Sequence, residues 1–408
     1  MLSKKQKFML LSSSSGLTFW GMIATLGPLA AAGALIGVLP KTLKVIILLI
    51  GPIFVPFGNV TMGFLSDKIG RKKIFIITMI IYSVGILIIS LSYVFVTLLI
   101  GLLLAEFGVG GEEIPTLSLV SEDSPISQRA KWLTIISDFD NIGSALIAGL
   151  FIITADVFYD RVILLVSAAV LIIIMIISRL LLPESYRWLK VNGKQSEAEK
   201  EESGLYIDGN GIDANKPPYK LSLPVLMIMG ISQYTTFGLM AYIIGPYEFP
   251  GVSTDNMIIF VALLGASVAG FIAAPLITRG RKKYTLYSYF FGFVSTVLIF
   301  LLVPYLKNVL IFYPLLFVNM MLSEFAWASR TTLEPELAPT RRRGAFIGTV
   351  RLAPMISYTL LVLYTSTLNL YDFVLLNVVL WLIGFIGAVI WNHYGIETKN
   401  VNIDYQEV

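Results

Sequence analysis

The 408-residue chain has no cysteine, a single histidine (His393) and only 14% charged residues. Without cysteine there is no disulfide, no thiolate nucleophile and no cysteine-based zinc cluster, and one imidazole cannot build a histidine relay or triad. No Gly-x-x-x-x-Gly-Lys-Ser/Thr loop occurs, so nothing encodes a nucleotide-driven pump. What fills the chain is apolar. Hydrophobic residues make up 56% and aromatics 12%, and the mean hydropathy is +0.80. Such values belong to a polytopic membrane protein and exclude a water-soluble core.

Apolar runs long enough to cross about 30 Å of hydrocarbon, roughly 20 residues each, recur along the whole length. Backbone amides in lipid must be satisfied within the segment, which makes the runs helices rather than barrel strands. Spans are expected at 8–37, 42–66, 73–92, 94–121, 129–156, 160–182, 221–249, 254–278, 284–306, 308–336, 344–367 and 371–394. Lys4, Lys5 and Lys7 precede the first run, which continues well past about 15 residues with no Ala-x-Ala site at a polar boundary. It reads as a spanning helix, not a cleaved signal.

Lys and Arg should fall in alternate loops if this count is right. One set holds the N-terminus; Lys68, Arg71, Lys72, Lys73; Arg129, Lys131; Arg187, Lys190, Lys194, Lys200, Lys216, Lys220; Arg279, Arg281, Lys282, Lys283; Arg341, Arg342, Arg343; and Lys399. The other has only Lys41, Lys44, Arg161 and Lys307. The pattern places both termini in the cytoplasm of a multi-pass cell-membrane protein. Its bases serve topology, which leaves no case for nucleic-acid binding.

The polar stretch 183–220 contains KQSEAEKEESG and NGIDANKPPYK, too poor in apolar residues to form its own core. It divides the chain into an N-terminal bundle (1–182), a cytoplasmic linker (183–220), a C-terminal bundle (221–395) and a cytoplasmic tail (396–408). The bundles look duplicated. Gly70-Arg71-Lys72-Lys73 recurs as Gly280-Arg281-Lys282-Lys283 at an offset of 210. Glu122-x-x-Pro125-x-x-x-Arg129 recurs as Glu336-x-x-Pro339-x-x-x-Arg343 at 214, and Glu184-Ser185 as Glu397-Thr398 at 213.

Gly63-x-Leu65-x-Asp67-x-x-Gly70-Arg71-Lys72-Lys73 resembles the signature between helices 2 and 3 of the major facilitator superfamily. Pro183-Glu184-Ser185-Tyr186-Arg187-Trp188-Leu189 resembles the motif after helix 6 in its sugar porter and organic-ion branches, and the paired Glu-x-x-Pro-x-x-x-Arg motifs point the same way. The resemblance implies an all-α membrane protein, twelve transmembrane helices in two pseudo-symmetric six-helix bundles, with a substrate site at the midplane between them. It also implies a latch favouring the outward-open state, carried here by Gly63, Asp67, Gly70, Arg71, Glu122, Arg129, Glu336 and Arg343. In physical terms Gly63 permits close helix contact, Asp67 can face the positive end of a neighbouring helix or pair with a base, and Arg71 offers a planar fork for carboxylates of the other bundle. The second copy has Ala273 and Ile277 in place of the first glycine and the aspartate, so a one-sided latch is expected.

Polar residues inside spans are costly and therefore functional candidates, with helix-to-helix glue as the alternative. In span 5, Ser137, Asp140, Asn141 and Ser144 form one stripe, while Asp138 lies off it and is expected to meet a neighbouring helix. In span 4, Glu106 and Glu113 share a face, and Glu106 lies about 24 Å before Glu122. Carboxyl groups in a low-dielectric interior can bind and release protons near neutral pH. Glu106, Glu113 and Asp140 are the proton-coupling candidates, with Glu112 and Glu113 equally able to serve as partners for bases. In the C-terminal half, Arg330 stands four residues from Glu334, which suggests a local pair. Arg351 has no acid within a turn and could hold an anionic substrate or a relay carboxylate. Gln233 and Thr236 resemble a weakened form of the sugar porter stretch of helix 7, and Trp327 could offer an apolar face. The expected substrate-binding set is Ser137, Asn141, Ser144, Gln233, Thr236, Trp327 and Arg351.

Span 1 carries Ile23 and Ala24 where proton-coupled porters have an acid, and Leu102 stands where they place an arginine. Coupling has then moved to Glu106 or span 5, or the protein is a facilitator. The expectation is a monomeric secondary transporter in the lipid bilayer, moving a sugar or organic acid with protons by alternating access, with no metal and no cofactor. A uniporter or proton-driven exporter is the rival within the class, a non-transporting receptor the rival outside it, and an intramembrane enzyme the weakest case.

Overall fold

A computed structural model of the chain describes residues 2–154, 156–180, 182–206, 211, 219–249 and 251–403. Most of NGIDANKPPYK, with Lys216, and the last five residues of the tail lie outside the described residues. Among the described residues, twelve helices are long and apolar enough to cross a membrane. They are α1 (Lys4–Ala32), α2 (Lys41–Ile69), α3 (Arg71–Ser90), α4 (Phe95–Asp123), α5 (Arg129–Thr154), α6 (Val157–Leu180), α7 (Tyr219–Gly238, continuing to Glu248), α8 (Val252–Ile277), α9 (Arg281–Leu301), α10 (Val309–Glu336), α11 (Arg343–Thr365) and α12 (Leu370–Tyr394). With an even number of crossings both termini lie at one end of the bundle, called here the basic end.

The apolar surface is distributed as a lipid solvent requires. Large apolar side chains stay exposed on α3, α6, α9 and α12, such as Ile80, Ile173, Phe291 and Ile386, because hydrocarbon is the medium that faces them. Across the interface between halves, α2 packs along α11 and α5 along α8, a pseudo-symmetric pair of contacts.

Two local features shape the interior. In α2, Pro56 has no N–H to donate to Pro52 O. That carbonyl is met instead by Thr359 Oγ1 of α11, at 3.0 Å, from the opposite half. In α7 the α-helix gives way to a wider π-type turn over Leu239–Ile243. Tyr242 lies nine positions beyond Gln233, about 180° around an unbroken α-helix, and the wider turn brings both onto one wall of the central cavity.

The segment expected to be a solvated linker is only partly so. It holds short helices at Tyr186–Val191 and Gln195–Glu202. The first is buried under the N-terminal bundle: Trp188 Nε1 donates to Asp67 O at 2.8 Å and Arg187 Nε to Glu122 O at 2.9 Å. The aromatic and aliphatic residues of Tyr186-Arg187-Trp188-Leu189 give it a core-facing side that an average over the whole stretch conceals.

Candidate functional site

At the basic end the repeated motifs converge. Gly63 abuts Gly344 so closely that a Cβ at position 63 would lie 2.8 Å from Gly344 O. That contact sets Asp67 against the first turn of α11, where its carboxylate accepts from Gly344 N at 3.2 Å and Ala345 N at 2.9 Å. A carboxylate there satisfies amides that no helical carbonyl reaches and lies at the positive end of the helix dipole. Arg71 Nη1 donates to Asp67 at 2.9 Å and Nη2 to Glu122 at 3.0 Å. Glu122 also receives Arg343 Nη1 at 2.6 Å, from the other half. The expectation that Arg71 reaches carboxylates of the other bundle is thereby corrected: both its carboxylate partners lie in its own half, and only its bond to Thr340 O, at 3.3 Å, crosses over. Asp67 and Glu122 lie within reach on α2 and α4 and satisfy the fork first, so the crossing carboxylate pair is Arg343–Glu122.

The C-terminal half repeats this plan without the aspartate. Arg281 Nη2 pairs with Glu336 at 3.1 Å, and Arg129 Nη1 of the other half lies 3.9 Å from the same carboxylate. Ile277 and Ala273 pack with Ala130 in an apolar cluster at the start of α5. Dispersion thus replaces the carboxylate-to-amide bonds of the first copy. Glu184 and Glu397 cap the third helix of each half: Glu184 accepts from Arg71 N at 2.9 Å and Glu397 from Arg281 N at 2.9 Å. Burial pushes the Glu184 carboxyl above its usual range, against the lowering effect of the backbone amides it accepts from. Gly70 joins the two elements at φ +105°, and a side chain there would strike Glu184.

Nearer the bundle centre a second polar layer crosses between halves. Glu113 of α4 pairs with Arg351 of α11, whose Nε donates to Glu334 at 2.8 Å. Glu334 also holds Arg330 Nη2 at 2.9 Å, and Arg330 Nη1 donates to Gln233 Oε1 at 2.9 Å. Two bases and two acids therefore neutralise each other. Each is nearly fully buried, a geometry in which loss of one partner strands a charge.

Above this layer lies a cavity walled by both halves. Glu106, Asp140, Asn141 and Ser144 face it from one half, and Gln233, Glu324 and Trp327 from the other. Asn141 Nδ2 bridges to Glu324 at 2.8 Å across the interface, and Ser144 Oγ ties α5 to Gly21 O at 2.7 Å. Glu106 Oε2 and Glu324 Oε1 are buried and have no hydrogen-bond partner. On the side away from the termini the halves touch again through Thr359 and Pro52 and, at the rim, through Lys41 Nζ and Ser366 O at 3.5 Å.

This plan of paired bundles is matched in sequence, where the profile of the Major Facilitator Superfamily fits residues 8–360. The chain belongs to that superfamily. Among similar proteins, this superfamily member is 27% identical to the minor myo-inositol transporter IolF of Bacillus subtilis (strain 168) over 307 residues, 71% of this chain and 67% of that protein. It is 25% identical to the inner membrane metabolite transport protein YdjE of Escherichia coli (strain K12) over 394 residues, 85% and 83% of the two chains. Its fold superposes on the proton:xylose symporter XylE bound to 6-bromo-6-deoxy-D-glucose with a TM-score of 0.80, 13% identity and 98% of each chain covered. These findings make the protein a multi-pass membrane transporter and not an enzyme.

Within the superfamily member, not every residue nominated from the sequence reaches the cavity. Asp140, Asn141, Ser144, Gln233, Trp327 and Glu106 line it. Ser137 is buried elsewhere, with its hydroxyl unbonded. Thr236 Oγ1 turns back onto its own helix, to Ser232 O at 2.7 Å. Arg351 and Glu113 hold each other in the layer below. Glu112 receives Arg179 and, at 2.7 Å, Thr78 Oγ1, which makes it a structural partner. Asp138 faces Gly270 of α8, as its position off the stripe suggests. Glu324, which in sequence offers only an acid within reach of the span's arginine, stands in the cavity wall. The signal available was a lone carboxylate in mid-span, a turn and a half before Arg330.

Proposed function

We propose that the protein is a proton-coupled secondary transporter that carries a small polar metabolite by alternating access. The observation that carries this reading is the cavity between the halves, with inter-half contacts of different kinds on either side of it. Opening toward the basic end requires parting Glu122 from Arg343, Asp67 from α11 and Glu113 from Arg351. Opening the other way requires parting Thr359 from Pro52. The basic end is assigned to the cytoplasm of the cell membrane, since Lys and Arg crowd it. Rigid halves rocking about a fixed site then expose it to one compartment at a time.

Asp140 and Glu106 are assigned to coupling, because each presents a carboxyl to the cavity and neither is bonded to a base. The names of the relatives, myo-inositol and xylose transporters, favour a ring-shaped hydroxylated substrate over an organic acid. For an organic acid the cavity offers no free base, since Arg330 and Arg351 are held by glutamates. Gln233, Asn141, Ser144 and Trp327 are assigned to substrate contact.

The test is uptake into proteoliposomes, with myo-inositol and xylose as first probes. An inward proton gradient should drive accumulation, and Asp140→Asn should abolish gradient-driven accumulation while sparing exchange. Unchanged accumulation in the variant removes Asp140 from the coupling role. Saturable binding without counterflow would make the protein a receptor.

A further inference from the structure

The charge of the cavity wall is one-sided. Glu106, Asp140 and Glu324 face it, while no Lys, Arg or His does. The nearest bases, Arg330 and Arg351, are matched by Glu334 and Glu113 in the layer beneath, and both guanidiniums lie over the ring of Trp327. The remaining polar capacity has the same sign: Glu106 is 2% exposed with Oε2 unpartnered and Glu324 1% exposed with Oε1 unpartnered. The amides that would recognise hydroxyl groups are largely committed, Asn141 Nδ2 to Glu324 and Gln233 Oε1 to Arg330. Around the carboxyls stand the rings of Trp20, Tyr234, Phe237, Tyr242, Trp327 and Tyr358. Carboxylates attract a cation by charge, and aromatic faces attract it by their quadrupole while tolerating an apolar body. A bare metal ion fits poorly, since among the described residues no group of three or more His, Cys, Asp or Glu is placed to hold one.

We propose that the metabolite carried through this cavity is an organic cation, a protonated amine or quaternary ammonium group on a ring-shaped body. The cationic group sits against the carboxyls of the cavity wall, Glu106, Asp140 and Glu324, and the ring lies against the aromatic wall. The proposal rests on the transporter reading above and narrows its substrate class.

The experiment uses the purified full-length protein and two probe triads that vary the charge on a common ring: glucosamine, glucose and glucuronate; benzylamine, benzyl alcohol and benzoate. Binding is measured by calorimetry at one pH, and flux of the same probes in proteoliposomes. In at least one triad the amine should bind at least about tenfold more tightly than its neutral and anionic counterparts, the difference expected of a charge-assisted contact. Glu106→Gln and Glu324→Gln, each nearly isosteric, should each remove most of that preference. Equal or tighter binding of a neutral or anionic probe overturns the proposal, as do failure of both amines to bind and a preference that survives in both variants. Amine binding without flux would leave the cation site standing and sink the transporter reading; flux of the neutral probe alone would do the reverse.

Discussion

At the scale of single residues, the two halves are joined by a few groups whose partners are counted rather than averaged. Glu334 serves two arginines, Arg330 and Arg351, and all three are buried. Glu334→Gln should leave Arg330 without a carboxylate and Arg351 with Glu113 alone, and cost about 3–5 kcal/mol, the range for breaking a buried pair, read as a marked fall in the thermal unfolding midpoint of the purified protein. Asp67 differs, because it is bonded to the other half and its loss weakens one state. Asp67→Ala removes the bonds to Gly344 N and Ala345 N, a cap of about 1 kcal/mol. The expected result is a several-fold gain in labelling of a cavity cysteine from the basic end with the fold intact. Glu334 and Asp67 were both visible in the sequence as acids in or beside spans. The direction of Arg71 was not, because a five-donor fork takes the nearest carboxylates and spacing alone cannot rank those of α2 and α4 against those of α11.

At the scale of elements, the twelve spans were readable because lipid forces each to be long, apolar and internally bonded. The π-type turn in α7 was not, since no hydropathy pattern distinguishes it from α-helix. The buried start of the linker and the course of the tail were hidden for another reason: both are short, polar on average and held by backbone atoms. The described part of the tail runs beneath the interface between halves. Arg129 Nη1 donates to Val401 O at 3.1 Å and Arg343 Nη2 to Ile403 O at 3.4 Å, one arginine from each half. Thr398 Oγ1 reaches Glu336 at 2.5 Å. Truncation after Ile396 should remove these bonds from the buried groups and uncap α9 at Glu397. The prediction is a lower thermal midpoint together with greater accessibility of the cavity from the basic end; a truncated protein with unchanged labelling would show that the tail does not tie the halves.

At the scale of the whole molecule, the inter-half bonds differ in kind on the two sides of the cavity. Several buried charged pairs and a capped helix close the basic end, while a hydroxyl-to-carbonyl bond, a rim contact and the attraction between Lys44 of α2 and Asp255 of α8 join the halves on the other side. On the alternating-access reading, the greater number of buried ion pairs at the basic end favours opening on the other side, with the basic end shut at rest. The chain contains no cysteine, so a single one placed at Val55, in the cavity wall, reports access without background. An impermeant thiol reagent should label it faster from the side away from the termini. Asp67→Ala in the same background should reverse that preference by several-fold, since loosening one gate of a two-state machine raises the population open at that gate at the expense of the other. Labelling from one side alone, in both backgrounds and with or without a proton gradient, would rule out a site exposed to each compartment in turn.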